Sequence, residues 1–204
     1  MKAKVLLFIF LLSTVFSLNS YGSITLHDEG QWNNHYYEIY ISTDAISWSN
    51  AKTAAESLNF NGEQGYLATI TSEEENTFVS SLLGSEAWVN NDKNGYMGPW
   101  LGGTDAATEG TWVWVTTGED FSYFAWESNQ DGVETDQDFL HYYTQYDSDG
   151  PVGEMTWNDY ADIGALDSGK VFGYVVEYNA VPIPGSIVLL GGALIGLAGI
   201  KKRK

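Results

Sequence analysis

Residues 100–114 read Trp-Leu-Gly-Gly-Thr-Asp-Ala-Ala-Thr-Glu-Gly-Thr-Trp-Val-Trp. Aromatic and β-branched side chains at both ends of this stretch predict two short strands, Trp100 to Gly103 and Thr111 to Thr116, joined by a polar loop. The whole chain is also rich in aromatic residues and glycine, with 15% aromatic residues and 22 Gly. This composition favours strands and loops over a helical bundle.

Two helices are predicted before this stretch. Ser47 can cap a helix that continues to about Leu58, in which apolar residues recur every three or four positions. The apolar face of that helix must pack against a sheet. Ser72 and Glu75 have the spacing of a capping box, in which each side chain accepts a hydrogen bond from the other's backbone N–H. They open a second helix, which we expect to stop at Gly84.

The other predicted elements are strands, separated by polar and acidic loops. Their sequences combine aromatic and β-branched residues over short runs. Beyond the two strands given above, they are His35 to Ile41, Tyr66 to Ile70, Phe139 to Gln145, Glu154 to Asn158 and Val171 to Tyr178. Two helices followed by a run of short strands indicate an α+β fold.

Charge and cysteine content exclude several classes of protein. The 204 residues carry 9 Lys and Arg against 27 Asp and Glu, a net charge of -18, and no Cys. A nucleic-acid-binding surface would have to be built almost without cations, so we expect no nucleic-acid partner. A disulfide framework, a thiol nucleophile and a zinc site of the cysteine type are excluded as well.

The first 22 residues have the pattern of a secretory signal peptide. Lys2 and Lys4 precede an apolar run from Val5 to Leu18, and Ser20 and Gly22 provide small residues at a cleavage site. The apolar run is short for a membrane span, which takes about 20 residues. We therefore predict export, with residues 1–22 removed.

The C-terminus, residues 181–204, has a second targeting pattern. Val-Pro-Ile-Pro-Gly-Ser at 181–186 leads into an apolar run at 187–200, and Lys-Lys-Arg-Lys ends the chain. This order resembles the PEP-CTERM sorting signals of bacterial exported proteins, with Ile183 where that family usually has Glu. The resemblance implies a short transmembrane helix, processing by an exosortase-type protease, and a mature protein that is secreted or at the cell surface. A plain C-terminal membrane anchor is the alternative.

Between the two ends lies the domain of residues 23–180. Residues 23–181 keep three basic residues against all 27 acids, a net charge of -24. A surface this acidic repels nucleic acid and anionic lipid and favours solubility or divalent cations. Membrane contact is expected only through the C-terminal helix before processing.

A series of short motifs runs through this domain. They are Trp48-x-x-Ala51, Gly65-Tyr-Leu-Ala-Thr-Ile70, Ser72 with Glu75 and Phe78, Trp100-Leu-Gly-Gly103, Glu109-Gly-Thr-Trp-Val-Trp114, Trp126, Trp157-Asn-Asp159 and Tyr174-Val-Val-Glu177. In this order they resemble the C-type lectin-like domain, over roughly residues 35–178. The resemblance implies an α+β fold with two helices packed on short antiparallel strands and a long irregular loop region. It also implies that apolar packing at Ala55 and Val176 replaces one of the family's disulfides; Phe139 and Asp162 correspond to another.

Sugar-binding members of that family hold calcium in the long loop. They use a Glu-Pro-Asn or Gln-Pro-Asp triplet, a later Glu, and the Asn-Asp of the Trp-Asn-Asp motif. Here the triplet region contains Gln130-Asp131 without proline, and Gln137 replaces the later Glu. The resemblance implies Asp131, Gln137, Asn158 and Asp159 as calcium ligands, and these four with Gln130 as the carbohydrate site. Calcium takes six to eight oxygen ligands, which Asp136 and Asp138 could help to supply.

Other candidate sites are weaker. The Asn90 to Gly95 segment resembles the first half of an EF-hand loop, but Leu101 stands where a bidentate Glu is needed, so we interpret it as a loop. His27, His35 and His141 are too scattered for a zinc triad. Trp112, Trp114 and Trp126 could stack on sugar rings, although in this fold they are more often core residues. No catalytic motif stands out, and we expect no enzymatic activity.

Two functions remain open. The first is an exported bacterial carbohydrate-binding module, with calcium as its cofactor and a glycan or exopolysaccharide as its partner at the cell surface or in the extracellular matrix. The second uses the same fold without calcium, with Asn158 and Asp159 closing a turn, as a structural or adhesion protein that binds protein or matrix partners. Stabilisation by calcium separates the two, because a ligand that binds only the native state raises the free energy of unfolding.

Overall fold

A computed structural model describes residues 23–90, 95–128, 136–147, 150–162, 165–166, 169–171 and 173–179. These residues form two α-helices, α1 (Trp48–Ser57) and α2 (Glu73–Ser81), and a short 3₁₀ helix at Ser85–Ala87. The strands that they form are β1 (Ile24–Trp32), β2 (His35–Ser42), β3 (Asn59–Phe60), β4 (Glu63–Gln64), β5 (Tyr66–Leu67), β6 (Val89–Asn90), β7 (Gly95–Thr104), β8 (Val113–Trp114), β9 (Phe139–Asp147), β10 (Gly150–Tyr160), β11 (Ala165–Leu166), β12 (Gly169–Lys170) and β13 (Gly173–Tyr178).

One large sheet organises the domain. Its strand order is β1-β2-β13-β7-β9-β10, with β5 paired to β13 and with β6 and β8 paired to β7. The pairings are antiparallel except for a parallel contact between β13 and β7 at Tyr174 and Trp100. The α+β fold is therefore confirmed, although β7, β9 and β10 are longer than the short strands predicted, with 9 to 11 residues each.

An N-terminal hairpin extends the sheet beyond the first predicted strand. β1 pairs antiparallel with β2 from Ile24 opposite Ser42 to Trp32 opposite His35. The turn consists of Asn33 and Asn34, whose φ angles of 45° and 73° are positive. Positive φ at both central positions belongs to a type I′ turn, which asparagine tolerates better than most residues.

Both predicted helices are present, and both begin at the predicted serine. The Ser47 side chain accepts a hydrogen bond from Asn50 N, and the Ser72 side chain accepts one from Glu75 N. The other half of the capping box is wrong by one residue, because the buried Glu75 carboxylate accepts from Thr71 and not from Ser72. It accepts hydrogen bonds from Thr71 N at 2.7 Å and from the hydroxyl of Tyr37. Glu75 thus ties α2 to strand β2 as well as to its own N-terminus.

The core lies on the two faces of the sheet. One apolar cluster lies beneath α2 and includes Trp114, Leu140 and Trp157, and the other lies beneath α1 and includes Trp100 and Tyr174. Ala55 and Val176 are both fully buried in the second cluster. Apolar packing therefore occupies the place where the resemblance implies a disulfide.

The two predicted terminal segments lie outside the described residues. Both the signal peptide, residues 1–22, and the sorting signal, residues 181–204, stay predictions. Within the part of the chain that the structure describes, no helix is long and apolar enough to span a bilayer.

Candidate functional site

The Trp-Asn-Asp motif lies near the end of β10, where β9 and β10 pair. Trp157 is fully buried, and its indole Nε1 donates a hydrogen bond to Asn76 Oδ1 of α2 at 3.0 Å. Tyr123 packs edge-on against the same indole, with ring centroids 5.4 Å apart. Trp157 thus fixes β10 to α2 and is part of the core.

Asn158 is held against a buried histidine. Its Nδ2 lies 3.2 Å from His141 Nε2, and it donates to the backbone oxygen of Asp159 at 2.6 Å. His141 Nδ1 lies 2.6 Å from the carbonyl of Tyr142, which can only accept, so Nδ1 carries the proton and Nε2 accepts from Asn158. Burial lowers the pKa of His141 to about 4, which keeps the ring neutral.

This arrangement leaves one acceptor of Asn158 available. Asn158 is only 7% exposed, and its Oδ1 accepts no hydrogen bond in the part of the chain that the structure describes. A buried acceptor without a partner costs about 1–3 kcal/mol. A cation or a ligand donor at Oδ1 would remove that cost.

The other predicted ligands are placed only in part. Asp159 is fully buried on β10, in register with Leu140 of β9. Gln137 is half-buried in the segment that leads into β9. The strand pairing brings that segment towards the end of β10, since Phe139 is in register with Tyr160. Gln130 and Asp131 lie outside the described residues, so their part in the predicted site is untested.

Asp105 is a candidate ligand that the sequence reasoning missed. It follows β7, is 1% exposed, and its Oδ2 accepts a hydrogen bond from Gly110 N at 2.8 Å. Its Oδ1 has no hydrogen-bond partner among the described residues. Its backbone N–H donates to the backbone oxygen of Asp138 at 3.2 Å, which places it next to the segment that contains Gln137.

Burial raises the pKa of the Asp105 carboxyl, and the negative charge of Asp138 raises it further. The two acids therefore share a region in which negative charge is not balanced by a described basic side chain. No local sequence pattern identifies Asp105, because its burial and its position beside Asp138 arise only in the folded chain. The described side chains alone form no cluster of three or more His, Cys, Asp or Glu residues suited to a metal.

The other candidate residues lie apart from the Trp-Asn-Asp motif or pack against the core, where the structure describes them. His27 lies 3.4 Å from Glu86, and His35 lies 2.5 Å from Glu177, so with His141 the three histidines occupy separate places, as predicted. Trp114 is buried, and Trp112 and Trp126 pack against the same core cluster. In the EF-hand-like segment, residues 91–94 lie outside the described residues.

The fold and these residues together define a C-type lectin-like domain. The family model of the lectin C-type domain matches residues 44–159, more than half of the chain. The chain therefore belongs to the C-type lectin domain family. The match extends from the loop before α1 to Asp159, the last residue of the Trp-Asn-Asp motif.

The chain is similar to proteins of very different size. Halomucin of Haloquadratum walsbyi is 33% identical over 172 residues, which are 83% of this chain and 2% of halomucin. A perlucin-like protein of Mytilus galloprovincialis is 27% identical over 129 residues, 63% of this chain and 71% of that protein. The chain thus corresponds to a small part of halomucin and to most of the perlucin-like protein.

The fold is also that of solved lectin structures. The crystal structure of the C-type lectin CEL-I from Cucumaria echinata superposes with a TM-score of 0.52 and 19% identity, covering 75% of this chain and 96% of CEL-I. At this identity the likeness shows the fold alone.

Proposed function

We propose that the chain is an exported, non-catalytic carbohydrate-binding module that uses calcium to hold a glycan at the cell surface or in an exopolysaccharide matrix. Membership of the C-type lectin domain family supports the binding of sugar. The fold alone does not give the function, so the cation and the glycan rest on the residues of the site.

One observation carries the calcium proposal: Asp105 is a buried carboxylate with an unpartnered oxygen next to Asp138. A buried negative charge is costly unless it is paired or binds a metal. Within the described residues, no Lys, Arg or His forms an ion pair with Asp105. A hard divalent cation would supply the missing positive charge and an electron-pair acceptor for Oδ1.

The donor set fits calcium. Asp105 and Asp138, whose backbones share a hydrogen bond, offer carboxylate oxygens, which are ligands that calcium takes. Gln137, Asn158, Asp131 and Asp159 remain ligands predicted from the sequence. In this role the metal would neutralise the acids and leave positions for sugar hydroxyls. Asn158 Oδ1 is oriented by the Nδ2 contacts with His141 and Asp159, which fix the amide plane.

A thermal melt of the full-length chain, in calcium and then in excess chelator, tests the proposal. At calcium concentrations of 100 Kd the gain in unfolding free energy is about 2.7 kcal/mol. For a protein of this size that gain corresponds to a rise in Tm of about 5–11 °C. Asp105→Asn should remove most of the rise, and Asn158→Ala/Asp159→Ala should reduce it. Asp44→Asn, at an exposed acid next to β2, is the matched control and should keep it.

An unchanged Tm in calcium would favour the alternative function, which needs no calcium. The protein would then be a calcium-independent structural or adhesion protein that binds protein or matrix partners through the same fold. Residues 23–181 have a net charge of -24, so the partners of such an adhesion protein are expected to be neutral or basic rather than anionic.

The proposal for the two ends has its own test. Export requires cleavage after residue 22, and sorting by an exosortase-type protease requires loss of the tail after residue 180. The intact mass of the protein recovered from the cell surface or medium measures both. A mass that retains residues 181–204 would favour a plain anchor over the sorting signal. Bacterial origin also remains a prediction, since halomucin comes from an archaeon.

A further inference from the structure

Two clefts lie on either side of α2, and neither is lined by Asp105, Gln137, Asn158 or Asp159. The first has a volume of about 500 Å³ and lies between α2 and the segment of residues 123–126, with Met155 and Thr156 of β10 closing one side. The second, of about 550 Å³, lies between α2 and Trp32 of β1. Glu73 and Thr77, one turn apart on α2, line both. They form a ridge that separates the clefts, which we call the α2 clefts.

Each α2 cleft is lined by aromatic side chains that the core does not fully cover. Phe124 is 60% exposed in the first cleft, and Trp126 is half-buried beside it. Trp126 packs against Trp112 with ring centroids 4.9 Å apart. In the second cleft Trp32 stacks on Phe78, with centroids 5.6 Å apart and planes at 24°.

The segment that carries Phe124 is bonded to β10 through the residues that follow Phe124. Trp157 N donates to Ala125 O at 2.7 Å, and Glu127 N donates to Trp157 O at 2.9 Å. These bonds join residues 125–127 to β10 on the C-terminal side of Phe124. An exposed ring on an anchored segment loses little conformational freedom when it binds a ligand, which favours affinity.

Polar groups lie between the aromatic ones. Glu73 and Thr77 are exposed, and neither the carboxylate nor the hydroxyl hydrogen-bonds to another described residue. Asn76 does not compete for a ligand, because Oδ1 accepts from Trp157 and Nδ2 donates to Met155 O. A ligand at the ridge therefore meets one free acceptor and one free hydroxyl, flanked by aromatic rings.

The chemistry of the α2 clefts selects the ligand. No basic side chain lines either cleft, and Glu73 and Glu74 contribute negative charge, so an anion is repelled. Sugar rings have C–H faces that pack on aromatic side chains and hydroxyl rims that donate to a carboxylate. The volumes are those of small-molecule sites. Two clefts across one ridge suit a chain of sugars better than a single ring.

We propose that the α2 clefts form a second carbohydrate site that binds a neutral polysaccharide across the Glu73–Thr77 ridge without a metal ion. No residue of the proposed calcium site lines the α2 clefts, so either site can exist without the other. Two sites on one domain would let it hold two segments of polymer at once and raise its avidity for a matrix.

The test is the mobility of the full-length chain in native gels that contain dextran, mannan or galactan, each with excess chelator. We expect at least one of these neutral polysaccharides to retard the wild type. Phe124→Ala removes the exposed ring, and Thr77→Tyr fills both clefts from the ridge; each should weaken retardation at least fivefold. Leu26→Ala, at an apolar residue of β1 that is 45% exposed and lines neither cleft, is the matched control. All variants are first compared by thermal melt, and both altered positions are exposed.

Asp105→Asn separates this proposal from the calcium proposal, and it should leave retardation in chelator unchanged. Absence of retardation by all three polymers in chelator would overturn the α2-cleft site, even if calcium restores binding. Retardation that Phe124→Ala and Thr77→Tyr leave intact, or that Leu26→Ala weakens equally, would overturn it as well. Retardation in chelator with no calcium effect on Tm would support this site and remove the calcium-dependent function.

Discussion

Replacing Asn76 with leucine should destabilise the protein by about 2–4 kcal/mol, through two hydrogen bonds that no other described group can make. Asn76 is 7% exposed on α2, and it pairs Oδ1 with Trp157 Nε1 and Nδ2 with Met155 O, both at 3.0 Å. The substitution leaves the indole N–H buried and unpaired, at a cost of about 1–3 kcal/mol. The Met155 carbonyl should add less, because Met155 is only half-buried.

A double-mutant cycle with Trp157→Phe isolates the first of these bonds. Phenylalanine has no N–H, so Asn76→Leu should cost about 1–2 kcal/mol less in that background than in the wild type. Urea unfolding followed by far-ultraviolet circular dichroism measures all four proteins, and equal m-values would show that the comparison is of stability alone. Thr77→Leu, at the next and exposed position, should stay within about 0.5 kcal/mol of the wild type.

A cost of Asn76→Leu below about 0.5 kcal/mol, the range of ordinary surface substitutions, would refute a stabilising role for these two hydrogen bonds. Equal costs of Asn76→Leu in the wild-type and Trp157→Phe backgrounds would refute the assignment of the bond to the indole. In that case the Trp-Asn-Asp strand would be fixed by packing of Trp157 against the neighbouring rings rather than by α2.

Two further predictions concern β13 and β7. The hydrogen bond to Glu177 raises the pKa of His35 above 6.5. The stability that protonated His35 adds to the folded protein is therefore complete below pH 6.5 and is lost as the pH rises through the pKa of His35 in the folded protein. Thermal melts from pH 6 to 8.5 should show a steeper loss of Tm for the wild type than for His35→Gln, and parallel curves would contradict this linkage. A Cβ added at Gly102 would lie 2.5 Å from the backbone oxygen of Leu67. Gly102→Ala should therefore lower the free energy of unfolding, measured in urea, by well over 1 kcal/mol, as expected of overpacking. Gly110→Ala is the comparison, because Gly110 has a positive φ of 72° and open space around it, so that only backbone strain acts there.

Local signals identified the helices because their information is contained in a few adjacent residues. Ser47 and Ser72 cap the helices as predicted, since each serine needs only a backbone N–H three residues on. The other oxygen of the Glu75 carboxylate accepts from the Tyr37 hydroxyl, which the fold brings within reach from 38 residues away. No local pattern contains that contact.

Strand β1 was not predicted from the sequence, because its pairing partner and not its own residues stabilises it. Residues 24–32 read Ile-Thr-Leu-His-Asp-Glu-Gly-Gln-Trp, a mostly polar run at the edge of the sheet, and most of its side chains are exposed. Its partner β2 supplies the hydrogen bonds, so the strand needs little apolar surface of its own. The Asn33-Asn34 pair was the available signal for a hairpin.

The residue types of the candidate site could be predicted from the sequence, but not all of the residues that form it. The Trp-Asn-Asp motif located the end of β10, because three adjacent residues carry it. Asp105 became a candidate only when the fold buried it and placed it beside Asp138, 33 positions later. A single aspartate in a polar loop has no such meaning in the sequence.

The position of β13 also determines how the domain bears a mechanical load. β13 is paired with β2 at six successive positions, from Gly173 opposite Ile41 to Tyr178 opposite Tyr36. Ile24, at the start of β1, is in register with Ser42, so it and Tyr178 lie at opposite ends of β2. A force that pulls Ile24 and Tyr178 apart runs along the strands and loads the bonds of this ladder together, in shear. Peeling would instead break them one at a time, so the direction of pulling decides how firmly the domain resists extension.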